Sequence, residues 1–148
     1  MKHRLAIDPG ASGGMAWRDR DGIVRAVAMP GGMTAQADQI RSIIADGIGA
    51  IVIERVGTYM PGNSGPAAAK FARHCGHLEA IAYMLGTPTD KPVAPGVWMR
   101  AMGALPKDKK ERKHAIREAM QRAHPHLRVT LKTADALGIL AWAERGGT

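Results

Sequence analysis

The chain contains a single cysteine, Cys75, so no internal disulfide can form, and the expectation is a reducing, cytoplasmic setting. Aromatic residues are scarce: three Trp, two Tyr and one Phe in 148 residues. The core must therefore rest on Ile, Val, Leu, Ala and nine Met. No apolar run approaches the roughly 20 residues that a membrane-spanning helix needs. The short apolar stretch after Met1-Lys2-His3-Arg4 meets Asp8 at once, which does not read as a secretion signal. Acidic residues are few, thirteen against twenty-one Lys and Arg, giving a net charge of +8 and a pI near 10.2. That imbalance favours a polyanionic partner, nucleic acid first among them. The length and the 45% hydrophobic content suit one folded domain spanning 1–148.

Leu5 to Ile7 reads as a buried strand stopping at Asp8-Pro9-Gly10. Met15 to Trp17 and Ile23 to Met29, joined by a polar turn ending in Asp21-Gly22, complete an antiparallel meander. Thr34 looks like the N-cap of a helix over Ala35 to Ala45. Ala50-Ile51-Val52-Ile53 has the pattern of a central strand and ends in Glu54. Gly57 to Pro66 is a loop with Tyr59 and Met60 at its tip, and Pro66 opens a helix to about Leu85. On that helix Phe71, Leu78, Ile81 and Leu85 fall at helical spacing, which suits either a dimer interface or the core. Lys91 to Ala94 is predicted as a short strand, followed by a brief helix near Val97 to Met102 and a basic helix from Lys107 to Ala123. A last helix runs from Thr133 to Glu144, and Trp98 and Trp142 belong to the core. This order implies an α/β fold with a mixed sheet of five strands flanked by helices.

Asp8 and Glu54 each end an apolar strand. If those strands are neighbours, both carboxylates emerge at one sheet edge, and their repulsion calls for a cation. Hard oxygen ligands favour Mg²⁺ or Mn²⁺, and neither Cys75 nor the six His residues show zinc spacing. Asp135, in an otherwise apolar helix start, either answers the helix dipole or completes such a site. Between Lys107 and Arg128 eight basic residues stand against three acidic ones, concentrating +5 of the net charge. Beside a phosphate-handling metal centre such a run contacts phosphates; elsewhere it is a solvated helix face.

The ordered set Ala6-Ile7-Asp8-Pro9-Gly10-Ala11-Ser12-Gly13-Gly14, Ile51-Val52-Ile53-Glu54 and Thr133-Ala134-Asp135-Ala136-Leu137-Gly138 resembles the RuvC-type Holliday junction resolvases. Pro95-Gly96-Val97-Trp98 followed by Gly103 is most similar to the branch holding the plant chloroplast resolvases and phage-borne relatives. The resemblance implies an RNase H-like fold, a homodimer with two active sites, and paired cuts in four-way DNA junctions during recombination and repair. It further implies catalytic and metal-binding roles for Asp8, Glu54 and Asp135, around two Mg²⁺ (or Mn²⁺) ions about 4 Å apart. Asp8 would bridge the ions, and the products would carry 5′-phosphate and 3′-hydroxyl ends. The family's fourth ligand lies one helical turn before the last acid, where this chain has Lys132 and Leu131. Either the register of that turn differs or three carboxylates serve; His124 and His126 are near in sequence.

The resemblance also implies a cation near the scissile phosphate, for which Arg100, Lys109 and Lys110 are candidates, with Lys107 and Lys113 as further DNA contacts. Tyr59, with Met60 beside it, would stack on a base at the crossover. A bacterial or phage origin is expected, without a membrane, and no helicase partner is specified. Two other classes stay open: a non-catalytic junction- or nucleic-acid-binding module, and a nuclease for RNA–DNA hybrids or other branched DNA. A sugar-kinase or actin-like phosphotransferase would need two such domains, which 148 residues do not supply.

Overall fold

A computed structural model describes residues 2–55 and 65–147. Strands β1 (His3–Asp8), β2 (Gly14–Arg18) and β3 (Val24–Ala28) form the expected meander. Helix α1 (Met33–Ala45) leads into β4 (Ile48–Ile53), then come α2 (Gly65–Met84), α3 (Pro95–Ala101), α4 (Lys109–Ala123) and α5 (Leu131–Glu144). The sheet order is β3-β2-β1-β4, with β4 parallel to β1 and the other pairs antiparallel.

Among the described residues the sheet has four strands, not five. The segment 87–93 lies along β4 where the fifth strand is predicted, but it touches it only through isolated bridges, Ile51 to Thr89 and Glu54 to Val93. Pro88 and Pro92 bring no N–H, so a continuous ladder cannot form there. Thr34 is not the N-cap of α1: the helix starts at Met33, and the cap position is Gly32, whose φ of 84° suits glycine.

Each face of the sheet carries one apolar cluster, sorted by the two-residue period of the strands. Leu5, Ile7, Ile51 and Ile53 pack with Ile40 and Ile43 of α1 and Leu78 and Ala82 of α2. Ala6, Ala16 and Val52 face the opposite way, onto Leu137 and Leu140 of α5, Trp98 of α3 and Ile116 and Met120 of α4. On α2, Leu78 is buried, while Ile81 and Leu85 are half-buried against the first cluster. The spacing seen in the sequence thus faces inward, and the outward face carries the exposed Tyr83 and Met84.

Helix α5 packs closely on the sheet and on α3 because one glycine at each contact leaves room. A Cβ at Gly14 would lie 2.5 Å from the Lys132 carbonyl oxygen, and one at Gly138 would lie 2.6 Å from the Trp98 ring. Gly138→Ala forces that buried ring to move and is expected to cost about 1–3 kcal/mol. Urea unfolding should show a lower midpoint with an unchanged slope.

Candidate active site

The parallel register of β1 and β4 sets Ile7 opposite Ile53, so the next residues, Asp8 and Glu54, leave the sheet side by side. The Glu54 N–H donates to the Ile7 carbonyl at 3.0 Å, which fixes this pairing at the strand ends. By strand alternation Asp8 follows Ala6 and Glu54 follows Val52, onto the face that α5 covers. A slip of one residue in either strand would turn its acid to the other face.

Asp135 reaches the same place from α5. That helix starts earlier than the sequence suggests, at Leu131, because Thr130 and Thr133 form a reciprocal capping box. Asp135 is therefore the fifth helical residue, beyond the first turn where the dipole acts most strongly. The helix is continuous through Lys132, so no register change brings another ligand there; Leu131 and Lys132 are both exposed. His124 and His126 stand at the other end of the sheet. His126 Nε2 lies 2.9 Å from the Val24 carbonyl, and His124 feels the charges of Arg18 and Glu144. Arg18 ends β2 two residues beyond Ala16, far along the strand from Gly14, the partner of Asp8.

The three acids share an environment that resists charge. Burial, then Glu54 and Asp135, push Asp8 up to about 8, with Lys113 opposing. Burial raises Glu54 to about 7, opposed by a hydrogen bond from Trp98 and by Lys113, and reinforced by Asp135. Burial also raises Asp135, offset by Lys113 and Arg112. Buried carboxylates that repel one another are a donor set suited to a hard divalent cation, which would replace the protons they otherwise hold. Among the described residues, no three His, Cys, Asp or Glu side chains are gathered into a formed metal cage. The fit therefore rests on the chemistry and burial of these donors.

Two neighbours of the acids, Trp98 expected in the core and Lys113 expected as a DNA contact, bear on the carboxylates directly. Trp98, assigned to the core, is fully buried, yet its indole N–H donates to Glu54 Oε2 at 2.6 Å. That bond favours the ionised form and holds the carboxylate in one orientation. The Pro95 that opens α3 was the available signal, since it seats Trp98 on a short helix beside β4. Lys113 is the cation whose charge acts on all three acids. It is exposed, one turn before the buried Ile116 on α4, with the buried Met120 one turn further. Lys107, Lys109 and Lys110 are exposed at the start of α4, whereas Arg100 is exposed in the last turn of α3, whose Ala101 carbonyl accepts from Arg145 past the end of α5. Tyr59 and Met60 lie outside the described residues.

No protein-family model and no curated protein matches the chain. Solved structures do. RuvC of Thermus thermophilus in complex with a Holliday junction substrate is 18% identical, with 99% of this chain and 98% of that one covered and a TM-score of 0.62. A further Thermus thermophilus RuvC structure gives 17% identity, coverage of 98% and 97%, and 0.60. The yeast mitochondrial Holliday junction resolvase gives 12% identity, coverage of 97% and 81%, and 0.52. The fold is thus the RuvC-type, RNase H-like fold over nearly the whole chain. No helix among the described residues is long and apolar enough to cross a membrane.

Proposed function

We propose that this chain is a divalent-metal-dependent endonuclease that cuts four-way DNA junctions by paired nicks. The observation that carries this reading is the placement of Asp8 beside Glu54 by the parallel β1–β4 register, with Asp135 brought to the same face by α5. Asp8, Glu54 and Asp135 are the residues that would hold Mg²⁺ or Mn²⁺, two ions per site. Bound there, the ions would supply an activated water and stabilise the departing 3′ oxygen, leaving 5′-phosphate and 3′-hydroxyl ends.

The protein's own side chains do the positioning. Trp98 holds the Glu54 carboxylate, leaving its other oxygen for the ion. Lys113 and Arg112, the cations acting on these acids, bind the scissile phosphate and offset the site's negative charge. Lys107, Lys109, Lys110 and Arg100 track the backbone of the arms leaving the site. Tyr59, with Met60, packs on the exposed base at the crossover. Two copies of the chain joined through the outward face of α2, where Tyr83 and Met84 are exposed, present two sites for symmetric cuts. A bacterial or phage-encoded resolvase of the chloroplast-like branch fits the Pro95-Gly96-Val97-Trp98 pattern.

Synthetic four-way junctions, duplex, flap and RNA–DNA hybrid, each incubated with Mg²⁺, test this reading. Symmetric nicks on opposing strands of the junction support it. Junction binding with no cutting makes the chain a binding module, and cutting only of hybrids or flaps changes the substrate. Lys113→Ala is expected to weaken junction binding and to lower the salt dependence of log K by about one phosphate contact. An unchanged slope in a salt titration would remove Lys113 from the interface.

A further inference from the structure

The turn that follows Asp8 is tied down at three points. Gly13 N–H donates to the Gly10 carbonyl at 3.0 Å and closes the turn on itself. Met29 N–H donates to the Gly13 carbonyl at 2.9 Å and ties it to the end of β3. The third tie is a side chain: Gly10 N–H donates to Nδ1 of His74, on α2, at 2.9 Å. Since Nδ1 accepts, the imidazole proton sits on Nε2, which lies 2.9 Å from Gln36 Oε1 and donates to it. Gln36, only 7% exposed, passes the chain on, its Nε2 donating to the Pro30 carbonyl at 2.9 Å. Three hydrogen bonds thus run in one direction from the turn, through α2 and α1, to the end of the meander. Burial, and then the charge of His77, keep the His74 pKa low, which favours the neutral ring that can accept.

Packing braces this turn on one side only, where the Phe71 ring lies against Gly10. Gly10 has a φ of +102°, and a cavity of about 410 Å³ opens between it, Ala11, Pro30, Gln36, Phe71 and His74. A backbone beside open space is held by its hydrogen bonds. Gly10 is two residues from Asp8, so whatever holds the Gly10 amide also sets where β1 releases the Asp8 carboxylate.

We propose that His74 is a positioning residue for the reaction centre: by accepting from the Gly10 amide and donating to Gln36 it locks the Asp8-Pro9-Gly10 turn. It touches neither the substrate nor the ions. The inference rests on the reading of Asp8 as a metal-holding carboxylate. Its chemistry separates two conservative replacements. The oxygen of an Asn side chain falls where Nδ1 stands and keeps an acceptor for Gly10. A Gln side chain reaches the Nε2 position and leaves the Gly10 amide without its partner.

The test compares full-length wild type, His74→Asn, His74→Gln and His74→Phe. Three properties are measured: exchange of the Gly10 amide by NMR, affinity for Mn²⁺, and single-turnover junction cutting alongside junction affinity. His74→Asn is expected to keep Gly10 protection and Mn²⁺ affinity within about threefold of wild type. His74→Gln and His74→Phe should lose protection and weaken Mn²⁺ binding by about tenfold or more. Cutting should slow in step while junction affinity holds. Equal losses in the Asn and Gln variants, or unchanged Gly10 exchange in the Gln variant, would overturn the proposal. If wild type cuts no DNA but the Asn–Gln split appears in exchange and Mn²⁺ affinity, the nuclease reading fails and the role of His74 stands.

Discussion

Asp8→Asn should bind four-way junctions about as tightly as wild type and cut them on the order of 10³-fold more slowly in Mg²⁺. Such a loss corresponds to about 4 kcal/mol of transition-state stabilisation. An amide keeps the size of the carboxylate but not its charge, so the basic surface proposed for DNA on α4 is left intact while a bound cation would lose the ligand proposed as central. Because the carboxylate is placed where burial, Glu54 and Asp135 all oppose its charge, the substitution should also stabilise the metal-free protein at alkaline pH. Gel-shift binding, single-turnover cutting and thermal melting on the same preparation read all three effects. Cutting at the wild-type rate would remove Asp8 from the centre of the chemistry.

The second large effect is a dependence of stability on pH that divalent ions suppress. Asp8 in the folded protein is raised to about 8 and Glu54 to about 7, against ordinary carboxylate values near 4 in the unfolded chain. Between those values the folded state binds more protons than the unfolded state. Stability therefore falls as pH rises through this window, and the fall is complete above the folded pKa. Over pH 6.5 to 8.5 the Asp8 contribution alone is about 2 kcal/mol, or roughly 4–8 °C in Tm.

His74 and His124 act with the opposite sign. Their lowered pKa values withdraw stability as pH falls, so the comparison belongs above pH 6.5. Melting curves of metal-free wild type and Asp8→Asn across this range isolate the acid, and saturating Mg²⁺ should flatten the wild-type slope. Equal slopes in the two proteins would show that Asp8 is not held in a charge-resisting site.

The same physics explains why the acids hold Trp98 and Lys113 near them. A buried carboxylate needs a donor or a countercharge. Glu54 finds both, from a residue 44 positions away and from a helix still further along the chain. Gly138 is part of this arrangement, since the ring that serves Glu54 occupies the space its missing side chain leaves. A substitution at Gly138 is thus a way to disturb Glu54 without touching it.

Local patterns were legible in the sequence because they depend on neighbours in the chain. An apolar run ending in an acid marks a strand whose carboxylate leaves the sheet, and Asp8 and Glu54 were both found that way. The basic face of α4 and the glycine-rich turns are likewise short-range signals. The fifth strand expected at Lys91 to Ala94 does not form among the described residues, because Pro88 and Pro92 lack the N–H groups a ladder needs. Thr34 lies inside α1 instead of capping it, because Gly32 takes the cap position with a positive φ.

Tertiary structure alone decided the rest. It set Ile7 against Ile53, began α5 at Leu131, and sent His124 and His126 to the far end of the sheet. It also seated Lys113 beside the acids and ran a hydrogen-bonded chain from Gly10 through His74 to Pro30. These contacts join residues far apart in the chain, and their partners are chosen by strand register and helix packing. Residue order alone carries the acids; only the packed sheet and helices bring them together.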